Sequence, residues 1–144
     1  MARSDGVAMI GGACLAVLGA SAPALAAPSP FDGPWSVTLS CPSSADGKAL
    51  AFSYEFPAEV RDGTLHGERG KPDEPGWFRL DGPIGADGVA DLIAEGRTNI
   101  PSYALYNVQK GTPYKRSVQA RFERDKGEGR WITVRTCTFS FVKR

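Results

Sequence analysis

The sequence predicts an all-β domain of seven or eight antiparallel strands, folded as a barrel or a sandwich. Beyond the first 26 residues no segment keeps a helical period, and apolar residues instead alternate with polar ones. Asp-Gly pairs, which are typical of hairpin turns because both residues tolerate positive φ, separate many of these segments. They occur at 32–33, 46–47, 62–63, 81–82 and 87–88. Evenly spaced strands with tight turns indicate a barrel or a sandwich.

Seven strands follow from the alternating segments. They are residues 35–41, 49–61, 64–69, 76–80, 89–96, 115–124 and 130–142. Gly82 and Pro83 predict a bulge or a sheet edge after the fourth strand. Residues 125–129 are predicted to form the last turn. The irregular segment 97–114 predicts a crossing loop with an eighth strand or one helical turn near Tyr103.

The first 26 residues have the features of an export signal. Arg3 precedes an apolar stretch over residues 7–18, and Ala24-Leu25-Ala26 has the spacing that signal peptidase recognises. Lipid attachment at Cys14 is not expected, because almost no apolar run precedes it. Residues 27–144 are enough for one domain, with no second apolar segment long enough to span a membrane.

Cys41 and Cys137 are the two cysteines that remain after the signal. An even, small number of cysteines in an exported chain predicts one disulfide in an oxidising compartment. Each lies on the more apolar face of its predicted strand, so a bond would bring the first and last strands together. By loop-closure entropy, such a distant link stabilises the fold by about 4 kcal/mol.

Charge is distributed unevenly along the predicted domain. Residues 27–106 carry 6 basic against 12 acidic side chains, whereas residues 107–144 carry 10 against 3. Pairing between neighbouring strands is the first explanation, and a basic face for an anionic partner is the second. A nucleic-acid partner is not expected, because the basic excess is small and conflicts with export.

No catalytic, metal or cofactor site is predicted. His66 shares a strand face with Glu68, but no nucleophile accompanies them, so we expect a surface or cross-strand contact. Glu55 and Glu59 lie about 13 Å apart along a strand, too far for a paired acid–base site. The chain contains no Gly-x-Ser-x-Gly motif, and one histidine with two distant cysteines does not make a zinc site.

Trp35 and Arg135 carry a resemblance to a known family. Gly33-Pro34-Trp35 opens the first strand, and Arg135 stands on the aromatic face of the predicted last strand. This arrangement resembles the lipocalins and the wider calycin superfamily, in which a Gly-x-Trp tryptophan packs at the closed end of the barrel against an arginine of the final strand. The resemblance implies an up-and-down, calycin-like barrel with Trp35 packed against Arg135.

A second resemblance spans most of the predicted domain. The FDGxW start at 31–35, the KGTPY segment at 110–114 and the FVK sequence at 141–143 are similar to uncharacterised secreted proteins of proteobacteria. The chain departs from lipocalins in lacking a Thr-Asp-Tyr motif and room for the C-terminal helix. These departures leave a filled barrel open as an alternative to one with a large ligand cavity.

The expected function is non-enzymatic binding by a periplasmic or secreted monomer. The partner would be a small apolar ligand at the mouth opposite Trp35, or a protein of the cell envelope. Segment 97–114 and loop 70–75 are the candidate rim. The candidate rim side chains are Tyr103, Tyr106, Tyr114 and Trp77. The alternatives are a calycin-type protease inhibitor acting through residues 27–30, and an accessory envelope domain without a pocket.

Overall fold

The protein is a closed barrel of eight antiparallel strands that follow one another in chain order. The computed structural model describes residues 19–21 and 28–144. The strands are β1 (Gly33–Cys41), β2 (Phe52–Arg61), β3 (Thr64–Arg69), β4 (Phe78–Pro83), β5 (Val89–Arg97), β6 (Pro113–Phe122), β7 (Lys126–Ile132) and β8 (Thr136–Lys143). Two short 3-10 turns, Pro101–Tyr103 and Leu105–Asn107, lie between β5 and β6. The predicted up-and-down barrel is confirmed.

Pairing between β1 and β8 closes the barrel. Its register runs from Trp35 opposite Lys143 to Ser40 opposite Thr138. The Cys41–Cys137 disulfide continues this register by one pair, with its Cα atoms 4.3 Å apart. The predicted link between the first and last strands is therefore confirmed.

The predicted single strand over residues 130–142 is wrong, because two strands meet there. Residues 133–135 form a tight turn in which the Thr133 hydroxyl donates to the Arg135 carbonyl, and Trp131 pairs with Cys137 across it. This division supplies the eighth strand, whereas the segment near Tyr103 forms 3-10 turns.

The last turn, predicted over residues 125–129, lies instead at residues 123–125. Gly127 and Gly129 lie inside β7 at buried positions. A Cβ atom on Gly127 would come within 2.9 Å of the Phe122 ring, and one on Gly129 within 3.1 Å of the Ala120 Cβ. These glycines therefore make room for neighbouring side chains. Asp81-Gly82 likewise lies within β4 and not at a turn.

The two ends of the barrel have different connections. At one end, here called the closed end, the strands are joined by the short segments 62–63, 84–88 and 123–125. At the other end, here called the mouth, the connecting segments include longer loops. They are residues 42–51, 70–77, 98–112 and 133–135.

Apolar side chains fill the barrel from the closed end through its middle. Trp35 is fully buried near the closed end, where its Nε1 donates a 2.8 Å hydrogen bond to the Phe31 carbonyl. Its ring meets Phe122 edge-on, with 5.4 Å between centroids. The largest other fully buried side chains are Phe56, Phe78, Phe139, Phe141, Leu39, Leu65, Leu80 and Leu92. This half of the barrel is a packed core.

Apart from residues 19–21, the predicted export signal lies outside the described residues, as do its Ala24-Leu25-Ala26 site, Cys14 and Ala27. Within residues 19–21 and 28–144, no helix is long and apolar enough to cross a membrane.

Candidate binding site at the barrel mouth

A cavity of about 790 Å³ occupies the mouth of the barrel. Its lining combines aromatic and basic side chains and includes no aspartate or glutamate. The aromatic residues are Phe52, Tyr54, Tyr103, Tyr106, Tyr114 and Trp131. The basic residues are Arg69, Arg97, Lys115, Arg116 and Arg135. The cavity is within the size range of small-molecule sites, and its aromatic surface suits an apolar ligand.

Aromatic rings separate the cavity from the packed core. Phe52 and Tyr54 take inward positions of β2 that continue the alternation of Phe56, and both are half-buried. The ring of Tyr54 stacks on Phe52 with 5.9 Å between centroids and meets Phe78 edge-on at the same distance. The cavity floor is thus the top layer of the core.

Tyr114 fills the inward position of β6 beside Gly96. The two residues are register partners, and a Cβ atom on Gly96 would overlap the Tyr114 phenol. Burial raises the pKa of Tyr114 to about 12, and burial also raises the pKa of Tyr54. Both phenols are therefore neutral at physiological pH and can donate or accept a hydrogen bond.

Three arginines at the mouth contact carbonyl groups or rings. The Arg69 guanidinium lies 4.0 Å from the centroid of the Tyr54 ring. Arg97 donates to the carbonyls of Pro72 and Gly111, and Arg116 donates to the carbonyl of Lys115. Within residues 28–144 none of the three arginines forms a salt bridge, whereas Lys115 lies 3.3 Å from Glu95.

Arg135 joins three mouth connections from the turn that follows β7. Its Nη1 donates to the carbonyls of Pro42 and Leu50 at 3.1 and 3.2 Å, and its Nη2 donates to the Tyr103 carbonyl. The residue is only 8% exposed, and its Nε has no hydrogen-bond partner among the described residues. Burial lowers the pKa of its guanidinium. Arg135 thus fixes the relative positions of loops 42–51 and 98–112.

The predicted packing of Trp35 against Arg135 is wrong. β8 runs from Thr136 at the mouth to Lys143 at the closed end, so Arg135 and Trp35 lie at opposite ends. Lys143 is the basic residue opposite Trp35, and its Nζ donates to the Pro30 carbonyl at 3.2 Å. The error follows from the missed turn at 133–135, which places Arg135 before β8.

Three of the four predicted rim residues line the cavity. Tyr103 and Tyr114 are half-buried in its wall, and Tyr106 is 81% exposed with a left-handed φ of 61°. Trp77 does not line it, because Phe78 takes the inward position and Trp77 donates to Glu68 beside a second recess of about 350 Å³. Loop 70–75 does not line the cavity either, although its Pro72 carbonyl holds Arg97.

The predicted rim side chains omitted Arg69, Arg97 and Arg116, although the predicted rim segment 97–114 includes Arg97. For two of them, the alternation of inward and outward residues along the strand predicts a position in the cavity wall. Arg69 lies four residues after the buried Leu65 on β3, and Arg116 lies two residues before the buried Val118 on β6. Even spacing places each arginine on the inward face of its strand. Arg97 reaches the cavity from the end of β5, which no periodicity predicts.

The polar residues considered for catalysis lie on the outside of the barrel. His66 is exposed and its Nδ1 bonds the Asp81 carboxylate of the neighbouring strand, which confirms the expected cross-strand contact. Glu55 lies 3.4 Å from Arg144, and Glu59 lies 2.9 Å from Arg61. Of the residues described, no group of three or more histidine, cysteine or acidic side chains could hold a metal ion.

Pairing between early and late strands explains only part of the uneven charge. Arg144 pairs with Glu55 and Lys115 pairs with Glu95 across the two halves of the sequence. Lys126 pairs locally with Glu123. The other basic residues beyond position 107 form no salt bridge within the described chain.

Comparisons of the chain with protein-family models, with curated proteins and with solved structures find no match. The resemblance to lipocalins therefore stays a prediction. The closed eight-stranded barrel agrees with it, and the position of Arg135 departs from it.

Proposed function

We propose that the protein is a non-enzymatic binding protein that holds a small, largely apolar ligand in the mouth cavity. The observation that carries this proposal is an aromatic-lined cavity of about 790 Å³ above an otherwise packed core. Small eight-stranded barrels either fill their interior or hold one small ligand, and a cavity confined to one end suits the second use. A calycin-like relationship is part of the same proposal.

Export to the periplasm or the medium also belongs to this proposal. The Cys41–Cys137 disulfide supports it, because such bonds persist in oxidising compartments and are rare in the cytosol. Intact-mass analysis of protein recovered from the periplasm should give the mass of residues 27–144 less two hydrogen atoms. Retention of residues 1–26, or two free thiols, would contradict it.

The protease-inhibitor alternative gains no support from the described part of segment 27–30. That part lies against the closed end, where Ser29 accepts a hydrogen bond from the Phe31 amide and Pro30 accepts one from Lys143. An inhibitory segment must leave the barrel to enter a protease, whereas these contacts hold it to the barrel.

A cavity-filling variant tests the binding proposal. Ala104 lines the cavity and has an extended backbone, with φ −91° and ψ 144°, which a tryptophan adopts without strain. We expect wild-type protein to bind the neutral apolar dye Nile red, and Ala104→Trp to bind it at least about tenfold more weakly. Fluorescence titration measures both affinities.

Val89→Trp is the matched control, because Val89 is 42% exposed near the closed end and lies outside the cavity lining. It adds the same ring and should leave dye binding unchanged. Failure of the wild type to bind the dye, or equal binding by wild type and Ala104→Trp, would contradict a ligand in the mouth.

A further inference from the structure

The mouth cavity brings basic side chains together without a carboxylate in its lining. Among the described residues, Lys115 is the one basic side chain of this lining that pairs with a carboxylate, that of Glu95 outside the lining. Inside the mouth, four arginines line one cavity whose lining contains no carboxylate. The cavity is therefore a region of positive potential, which favours an anion.

Two of these arginines line the cavity from different strands, together with Tyr54 and Tyr114. Arg69 lies at the end of β3 with its guanidinium over the Tyr54 ring, and Arg116 lies two residues after Tyr114 on β6. Burial raises the pKa of Tyr114 to about 12, against the smaller opposing effects of a hydrogen bond with Tyr54 and of the charges of Arg116 and Arg69. Tyr114 can also donate to a bound anion.

The contacts of these side chains leave donors for a ligand. Arg116 uses one described hydrogen bond, from Nη1 to the Lys115 carbonyl, and Arg69 contacts a ring face. A guanidinium has five N–H donors in a planar fork that matches carboxylate and phosphate oxygens.

Arg135 is a second, independent sign of unmet positive charge. It is nine-tenths buried at the cavity wall, all of its hydrogen bonds go to neutral carbonyls, and its Nε has no partner. A buried cation without a paired carboxylate is unfavourable, so an anion nearby stabilises it.

We propose that the ligand is an anionic amphiphile, whose carboxylate or phosphate is bound by Arg69 and Arg116 while its apolar tail lies on the aromatic floor. This inference rests on the proposed function, because it names the chemistry of the ligand in the same cavity. The tail would contact Phe52 and Trp131, and the headgroup would lie beside Tyr114.

Calorimetric titration with three ligands of ten carbon atoms each tests the inference. The probes are decanoate, decyl phosphate and decanol, each below the concentration at which it aggregates. We expect one or both anions to bind at least about tenfold more tightly than decanol, since hydrogen bonds between charged partners are the stronger ones. The tighter of the two anions identifies the headgroup.

Single substitutions then assign the headgroup site. Arg69→Gln and Arg116→Gln should each weaken binding of the preferred anion about five- to tenfold and leave decanol within about twofold. Arg121→Gln is the matched control, because Arg121 lies on the same strand as Arg116 and is likewise exposed, but lies outside the cavity lining. It should change neither affinity.

The outcomes separate the two proposals. If decanol binds as tightly as both anions, or if the two variants weaken decanol and anion equally, the anionic headgroup is wrong and the binding proposal stands. If none of the three probes binds and Nile red does not bind, both proposals are wrong.

Discussion

The closed end and the mouth of this barrel are built from the same eight strands but differ in what they hold. At the closed end short segments connect the strands. Trp35, Phe122 and Phe141 pack together there, and each of these side chains is buried. At the mouth longer loops surround a cavity in which arginines have no carboxylate partners within the described chain.

The change from packed core to cavity lining takes place along single strands. The inward positions of β6 pass from Phe122, Ala120 and Val118 to Arg116 and Tyr114. Strand alternation is kept throughout, so the same backbone geometry supplies a core at one end and polar recognition at the other. Stability and binding are therefore expected to respond to different substitutions.

Trp35→Ala should have the largest effect on stability. Truncating this fully buried ring removes its contact with Phe122 and its hydrogen bond to Phe31, at a loss of about 4 kcal/mol in the free energy of unfolding. Urea denaturation measures the loss. Because the mouth is remote from Trp35, the affinity of the folded variant for Nile red should match that of the wild type. A weaker affinity would contradict the expectation that the closed end contributes to stability and not to binding.

Arg135→Met should lower both stability and affinity. It leaves the carbonyls of Pro42, Leu50 and Tyr103 without their donor and loosens the mouth loops, at a loss of about 2 kcal/mol. Arg135→Lys keeps the charge and restores part of the loss. The same denaturation and dye titrations test this, and a variant with wild-type affinity would show that Arg135 does not position the cavity wall.

Tyr106→Gly should have the smallest effect, a gain of about 0.5 kcal/mol. Tyr106 holds a left-handed φ of 61°, which is strained for any residue with a Cβ atom, and glycine relieves the strain at some entropic cost in the unfolded chain. Tyr106→Ala removes the same exposed ring but keeps the Cβ atom, so it should show no gain. Equal stability of the two variants would show that the backbone at Tyr106 is not strained.

The strands and the disulfide could be predicted from the sequence because they depend on local alternation and on cysteine number. The turn at 133–135 could not, because Thr133, Val134 and Arg135 include no glycine or proline and the turn is closed by a threonine hydroxyl. Gly127 and Gly129 are of a residue type that is common in turns. Within β7, however, they leave space for neighbouring side chains, which only the strand register reveals.

The candidate site was predicted in part for a similar reason. Tyr103, Tyr106 and Tyr114 were assigned to the rim because segment 97–114 is irregular, and irregular segments between strands lie at barrel ends. The turn at 133–135 decides at which end of the barrel Arg135 lies. Because this turn was missed, the contacts of Arg135 with three carbonyls could not be predicted.

Native mass spectrometry of wild-type and Ala104→Trp proteins mixed with decanoate tests the central claim most directly. If the mouth cavity is the binding site, wild-type protein carries one decanoate per chain and Ala104→Trp carries none. Equal decanoate adducts on both proteins would contradict a ligand site at the mouth, as would no adduct on either protein together with no binding of Nile red.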